Sequence, residues 1–461
     1  MRLTLDTTCF VQGGPQGDVG VSPADLERAA AGHAGVLKGL QGRRQSGEIG
    51  FWNLPDDRGP ARACADFAAA ASGRFENVVV LGIGGSALGT TALHAALSPA
   101  LHDSRPHQQR PRLFVVDNVD PVLVSGVLRC ANPATTLFNV ISKSGSTAET
   151  MSQFLLFLEA LKAQLGDSWK EHVVVTTDGS KGFLRPFADA NGLTTFTVPD
   201  SVGGRFSVLT PVGLLPGALL GWDLEALLDG AAQGRDRCLS DVFGENPAAQ
   251  WASCHHLLDT TRGVGTQVLF PYSHRLRRLV DWNVQLVAES LGKKDADGRS
   301  VGPLPHGSVG ATDQHSQVQL FVDGPKDKAF TFVRVLEHRD DTLIPAPPEG
   351  LEALSYLQGK TFGQLLDAEC RATRLALTET GCPNAEITFP EVDAFHVGEF
   401  LMWSMAATAY GGELYRVDAF DQPGVEAGKV ATYGLMGREG FEAERQRVEG
   451  TELSRPECRV E

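Results

Sequence analysis

Between residues 60 and 200, short apolar runs rich in β-branched residues alternate with longer amphipathic stretches. A continuous apolar run predicts a strand that is buried on both faces, and helices between such strands predict parallel pairing. The sequence therefore predicts a doubly wound parallel sheet of the α/β class. Its strands are expected at residues 78–81, 113–116, 138–141, 173–176 and 194–198.

The second half of the chain repeats this alternation less regularly. It predicts strands at residues 267–270, 318–321 and 331–334, and helices at 275–291, 362–380 and 397–410. Near the N-terminus, Ser22 and Pro23 open an Ala-rich helix. We therefore predict two doubly wound α/β domains, each an α-β-α sandwich, with helical extensions at both ends. The predicted divisions are a helical entry segment 1–55, a first domain 56–225, a second domain 226–436 and a charged tail 437–461.

A glycine-rich loop follows the first predicted strand and precedes a helix. Backbone amides at such a helix start approach an anion closely, so Gly84, Gly85 and Ser86 are candidate phosphate-binding residues. A tight turn without a ligand is one alternative. A dinucleotide site is another, although Asp117 follows Gly89 by 28 residues, later than the usual ~20.

A second loop, residues 142–150, follows the third predicted strand and also precedes a helix. It carries five hydroxyl side chains and one lysine, which together offer donors and a cation to a single small anion. It lacks the spaced glycine and the G-K-[ST] ending of a nucleotide P-loop. We predict that this loop holds a phosphate through Ser142, Lys143, Ser144 and Thr147.

The charge balance narrows the possible partners. A formal net charge of -15 at pH 7 repels nucleic acid and anionic membranes, so an anionic ligand needs a local binding device.

The eight cysteines include no CxxC pair, which predicts neither a zinc site nor a disulfide framework and fits a reducing cytoplasm. No basic region followed by an apolar run opens the chain, so we expect no export signal.

At this point the chain resembles the sugar isomerase (SIS) domain family, and within it the glucose-6-phosphate isomerases. The similar segments, in family order, are residues 200–213, 289–293, 314–316, 412–415 and 420–429. The first and the last two are similar to the family's signatures, and the middle two to the segments with its base and histidine. The resemblance implies two SIS-type domains that isomerise a sugar phosphate between aldose and ketose forms.

The resemblance also implies roles for single residues. Proton transfer between neighbouring carbons needs a base, for which Glu289 is the candidate, and Arg205 is suited to stabilise the charge of the enediolate. His315 and Lys429 are the candidates for opening the sugar ring, and Gln422 for binding the phosphate or the sugar. No step calls for a cofactor or a metal. Family members are usually homodimers, with the histidine segment reaching the neighbour's site.

The sequence departs from the family pattern at two positions, and two alternative functions are also compatible with it. Leu291 lies where asparagine is common, and Asp313 where glycine usually precedes the Gln-His pair. A non-catalytic sugar-phosphate sensor would need the phosphate loops but not the four candidate catalytic residues together. An isomerase that also accepts mannose 6-phosphate would carry all of them.

Overall fold

The computed structural model describes residues 1–15, 17–104, 110–455 and 458–460. The chain forms two units, Met1–Ala419 and Phe420–Glu461. The finer division at residues 55, 225 and 436 stays a prediction. None of the helices in the described residues is both long and apolar enough to span a membrane.

The strands of the described residues follow the predicted runs closely in the first half of the chain. They are β1 (Thr4–Asp6), β2 (Asn77–Leu81), β3 (Arg112–Val116), β4 (Thr136–Ser142), β5 (Val173–Thr177), β6 (Thr194–Thr197), β7 (Thr266–Pro271), β8 (Lys293–Lys294), β9 (Ser300–Val301), β10 (Leu304–Gly307), β11 (Lys328–Glu337) and β12 (Asn384–Glu391).

The α-helices begin and end at recognisable signals, such as the Ser22 cap before the first one, which accepts a hydrogen bond from Asp25 N. They are α1 (Pro23–Gln45), α2 (Gly59–Ala70), α3 (Leu88–Leu97), α4 (Pro121–Cys130), α5 (Ala148–Leu165), α6 (Leu184–Asn191), α7 (Pro211–Leu220), α8 (Leu224–Cys238), α9 (Pro247–Arg262), α10 (Arg277–Leu291), α11 (Val318–Asp323), α12 (Phe362–Glu379), α13 (Ala394–Tyr415), α14 (Glu426–Leu435) and α15 (Glu442–Glu449).

The first sheet has the order β3-β2-β4-β5-β6, and its strands are parallel throughout. Every residue of β2, β4 and β5 is buried, because helices cover these strands. Val79, Val140 and Val175 pack in one apolar cluster with Val127 of α4 and Phe157 of α5. The predicted parallel sheet is confirmed.

The second sheet has the order β1-β12-β11-β7-β10. Its pairs are parallel except that β1 runs antiparallel to β12, with Thr4 opposite Thr388. The N-terminal segment thus supplies an edge strand as well as the predicted helix α1. The α/β class is confirmed, but this sheet is mixed rather than purely parallel.

One predicted strand is wrong, since residues 318–321 begin helix α11. A four-residue apolar run does not distinguish a strand from a short helix by periodicity. Here Phe321 is buried against the second sheet while Leu320 is 53% exposed, so the segment presents one face to the core. The strands β10 and β12, which contain Pro, His, Asn and Glu residues, were not predicted at all.

The C-terminal unit consists of α14, α15 and their connections. Helix α15 contains no buried residue, as expected for the charged tail. Residues 456, 457 and 461 of that predicted tail lie outside the described residues.

Candidate active site

The two predicted phosphate loops lie at the same edge of the first sheet. Strands β2 and β4 are paired in parallel, with Leu81 opposite Val140, so the loops that follow them leave the sheet side by side. The chain passes from β2 to β3 on one side and continues at β4 on the other. The loops therefore flank the point where strand order reverses, which is where open α/β sheets bind ligands.

The glycine loop is packed directly against the segment that carries Arg205. A Cβ atom on Gly85 would lie 2.3 Å from the carbonyl carbon of Gly204 and 2.7 Å from the backbone nitrogen of Arg205. Gly84 has a φ of +56° and would place a Cβ 2.9 Å from Nε2 of Gln285. These glycines allow the loop to lie close to the backbone of residues 204–205 and to the side chain of Gln285. Ligand contacts of Gly84, Gly85 and Ser86 stay predictions.

The serine loop brings its hydroxyl groups together at the start of α5. Thr147 Oγ1 lies 3.1 Å from Ser142 Oγ and 3.2 Å from Ser144 Oγ. Thr147 is also the residue before α5, yet its side chain makes no capping bond to that helix. The first amides of α5 are thus left without this hydroxyl cap, an arrangement that favours an anion at the loop.

Lys143 joins the serine loop to the segment before Arg205. Its Nζ donates to the carbonyl oxygens of Asp200, at 2.8 Å, and Val202, at 2.9 Å. Burial lowers the pKa of Lys143, although the nearby Asp200 carboxylate opposes this effect. The lysine therefore holds two backbone carbonyls in this structure. Its predicted contact with a phosphate stays a prediction.

Arg205 is buried and contacts two residues of α10 and the segment that follows α13. Its Nε donates to Ser290 Oγ at 2.7 Å, its Nη2 to the carbonyl of Ala419 at 2.6 Å, and its Nη1 lies 3.5 Å from Glu289 Oε2. Only 2% of the Arg205 side chain is exposed, against 29% for Glu289. A fixed guanidinium beside a partly accessible carboxylate can stabilise negative charge that develops next to that carboxylate.

Gln285 is a candidate site residue that the sequence did not indicate. It lies one turn before Glu289 on α10, and its Nε2 donates to Glu289 Oε1 at 3.0 Å. Its Oε1 is buried and has no hydrogen-bond partner among the described residues. The i, i+4 spacing to Glu289 is the one signal in the sequence that could have identified it. Glu289 is thus held by polar partners on both oxygens as well as by its apolar neighbours on α10.

The structure brings Arg205 and Glu289 together, whereas the contacts of His315 and Lys429 do not involve this pair. His315 ends a turn of 3-10 helix and is exposed, and its side chain makes no hydrogen bond within the described part of the chain. Lys429 and Gln422 belong to the C-terminal unit, where Lys429 Nζ pairs with Glu426 at 2.8 Å. Their roles stay predictions.

Asp313, which replaces the usual glycine, caps its own loop. Its Oδ2 accepts from Val309 N at 2.6 Å, and its Oδ1 accepts from Ser316 Oγ at 2.8 Å. The carboxylate therefore orders the turn that presents His315.

One cluster has the composition of a metal site. Glu391, Asp393 and His396 offer atoms that lie within 4.8 Å of one another. However, His396 Nδ1 donates to Asp393 Oδ1 at 2.8 Å and Nε2 to the Met1 carbonyl at 3.0 Å. Burial lowers the pKa of His396, but these hydrogen bonds raise it overall. With both ring nitrogens donating to oxygens, His396 offers no lone pair to a metal, and the cluster holds the Met1 carbonyl instead.

Together, the fold and the position of the two candidate loops at a sheet's switch point are typical of α/β enzymes that act on small molecules. A family model described as phosphoglucose isomerase matches residues 62–438. The chain belongs to the phosphoglucose isomerase family. The resemblance expected from the sequence is confirmed.

Individual relatives support this membership. The glucose-6-phosphate isomerase of Rubrobacter xylanophilus is 48% identical over 86% of this chain and 90% of the relative. That of Carboxydothermus hydrogenoformans is 43% identical over 92% of this chain and 93% of the relative. The crystal structure of a glucose-6-phosphate isomerase from Chlamydia trachomatis has a TM-score of 0.74 and 27% identity, over 85% of this chain and 76% of that one.

Proposed function

We propose that this protein is an isomerase that interconverts glucose 6-phosphate and fructose 6-phosphate. The observation that carries the proposal is the buried Arg205 guanidinium beside the accessible carboxylate of Glu289, 3.5 Å away. Membership in the phosphoglucose isomerase family supports the same reaction. As part of the proposal, the protein works in the cytoplasm without a cofactor or a metal.

The phosphate of the sugar binds at the serine loop. The hydroxyls of Ser142, Ser144 and Thr147 donate to its oxygens, and the amides at the start of α5 add the favourable end of a helix dipole. The glycine loop lies beside this site and touches Gln285, which in turn binds Glu289. A sugar held by its phosphate thus extends its carbon chain toward the base.

The proton transfer then follows from the two charged groups. Glu289 removes the proton from the second carbon of the open aldose, the carbonyl oxygen of the first carbon gains electron density, and an enediolate forms. Arg205 stabilises that negative oxygen because its geometry is fixed before the reaction begins. The hydroxyl proton of the second carbon passes to the oxygen of the first carbon, and the protonated Glu289 returns its proton to the first carbon. The second carbon then bears the carbonyl and the first a hydroxyl, which is the ketose.

Ring opening needs a proton donor at the ring oxygen and an acceptor at the anomeric hydroxyl, and this work is assigned to His315 and Lys429. The exposure of His315 fits a residue that serves the site of a second subunit in a homodimer. Mixed dimers test this arrangement. Glu289→Gln and His315→Ala homodimers are each expected to be inactive, while hybrids of the two regain turnover from one intact site. Hybrids without activity would mean that His315 acts in its own subunit, and an active His315→Ala homodimer would mean that it has no role.

The isomerase and the sensor alternative are separated by one experiment. Fructose 6-phosphate is added, binding is followed by thermal shift, and product is measured by oxidation of glucose 6-phosphate in a coupled assay. We expect both stabilisation and product. Stabilisation without product would support a sensor. The same assay with mannose 6-phosphate determines whether the second epimer is accepted.

A further inference from the structure

A cavity of about 490 Å³ lies at the ends of α3 and α7 and at the starts of α8 and α13. Its size is within the range of sites that hold small metabolites. None of its lining residues belongs to the glycine loop, the serine loop or the Arg205 and Glu289 pair. It is therefore a separate space from the proposed catalytic site.

Three arginines, Arg110, Arg275 and Arg339, line this cavity. None of them forms an ion pair in the described part of the chain. Arg275 donates through Nη1 to the Val392 carbonyl at 2.9 Å, which leaves most of its donors free of protein partners. Burial and the neighbouring charge of Arg339 lower the pKa of Arg275, although the carboxylates of Asp340, Asp393 and Glu391 oppose this effect. Guanidinium groups gathered in one cavity repel one another, and a bound anion offsets that repulsion.

Two aspartates, Asp223 and Asp393, also line the cavity, but both are engaged elsewhere. Asp223 Oδ1 accepts from Ala226 N at 2.9 Å as the cap of α8. Asp393 is paired with His396 at 2.8 Å and caps α13. The three guanidinium groups outnumber these two carboxylates. The cavity is thus cationic in a chain whose net charge is -15.

We propose that this cavity is a second anion site, which binds a small phosphate-bearing metabolite. Guanidinium groups match phosphate oxygens through paired hydrogen bonds, and three of them around one cavity suit a ligand with more than one negative charge. The proposal does not depend on which sugar phosphate the catalytic site takes.

Pyrophosphate is a suitable probe, titrated calorimetrically into the full-length protein with and without saturating glucose 6-phosphate. We expect one pyrophosphate per chain to bind even when glucose 6-phosphate is present. Arg275→Gln and the exposed Arg339→Gln each remove charge-assisted hydrogen bonds and should raise the Kd about tenfold or more. Arg129→Gln on the surface of α4 is the matched control and should leave the Kd unchanged.

Two results would overturn the proposal: no pyrophosphate binding beyond the part that glucose 6-phosphate displaces, or arginine variants that bind as Arg129→Gln does. Arg339 is exposed, so Arg339→Gln is expected to fold and still tests the cavity if Arg275→Gln does not fold. Isomerase turnover is measured on the same samples. If the wild type shows no turnover, the proposed function is wrong. The cavity is still tested, because pyrophosphate binding by the wild type and the arginine variants is also compared without glucose 6-phosphate.

Discussion

Replacing Glu289 with glutamine separates the proposed chemistry from binding and folding. The variant keeps the size of the side chain and its acceptor for Gln285 Nε2, but it cannot take a proton from carbon. Loss of a general base lowers turnover by about 10²- to 10⁴-fold, which corresponds to about 3 to 5 kcal/mol in the barrier. Sugar-phosphate binding should remain nearly intact because the serine loop holds the phosphate.

The effect of this variant on stability is smaller. Two unit charges 3.5 Å apart attract by about 5 kcal/mol at an effective dielectric constant of 20, before any cost of desolvation. Glu289 is partly exposed, and Arg205 keeps Ser290 and Ala419 as acceptors, so the net loss is about 1 to 2 kcal/mol. That corresponds to a fall in Tm of a few degrees.

Glu413→Gln is a matched control for this comparison. Glu413 lies 3.4 Å from a guanidinium nitrogen of Arg43, and its side chain is 32% exposed, close to the values for Glu289. It should lose similar stability and keep its turnover. Turnover is followed by the coupled assay and by deuterium incorporation at the second carbon in D₂O, detected by NMR. The assignment would be refuted if Glu289→Gln kept turnover within about tenfold of wild type, or if Glu413→Gln lost as much.

The three central strands of the first sheet could be predicted because they are buried on both faces. In β2, β4 and β5 every side chain is buried and needs to be apolar or hydrogen-bonded within the protein. These strands therefore appear in the sequence as nearly continuous apolar runs. The edge strands β1 and β10 carry no such signal, since they are short and partly exposed and depend on a partner strand far away in the chain. Tertiary pairing decides these segments rather than local preference.

The site was predictable only in part, for a similar reason. Glycines and hydroxyls concentrated in two loops indicate anion binding from local sequence alone. The contact between Arg205 and Glu289 joins residues 84 positions apart and had to come from the family resemblance. The bonds of Lys143 to the carbonyls of Asp200 and Val202 depend on packing between loops, which no local pattern encodes.

Three further predictions follow from these contacts. Gly85→Ala places a methyl group on the Gly204 backbone and should lower both Tm and kcat/KM, whereas Gly126→Ala, with open space around it on α4, should stabilise by about 0.5 to 1 kcal/mol. Lys143→Ala should raise KM more than it lowers kcat, as expected for a residue that shapes the phosphate site, and the opposite split would contradict that role. For His396, the folded-state pKa is raised above its ordinary value of 6.5, so its pairing with Asp393 stabilises the fold fully below that value and less as pH rises through the folded-state pKa. The difference in Tm between wild type and His396→Gln should therefore shrink as pH rises above 6.5, and a difference that stayed constant over this range would mean that the ring is not charged in the folded protein.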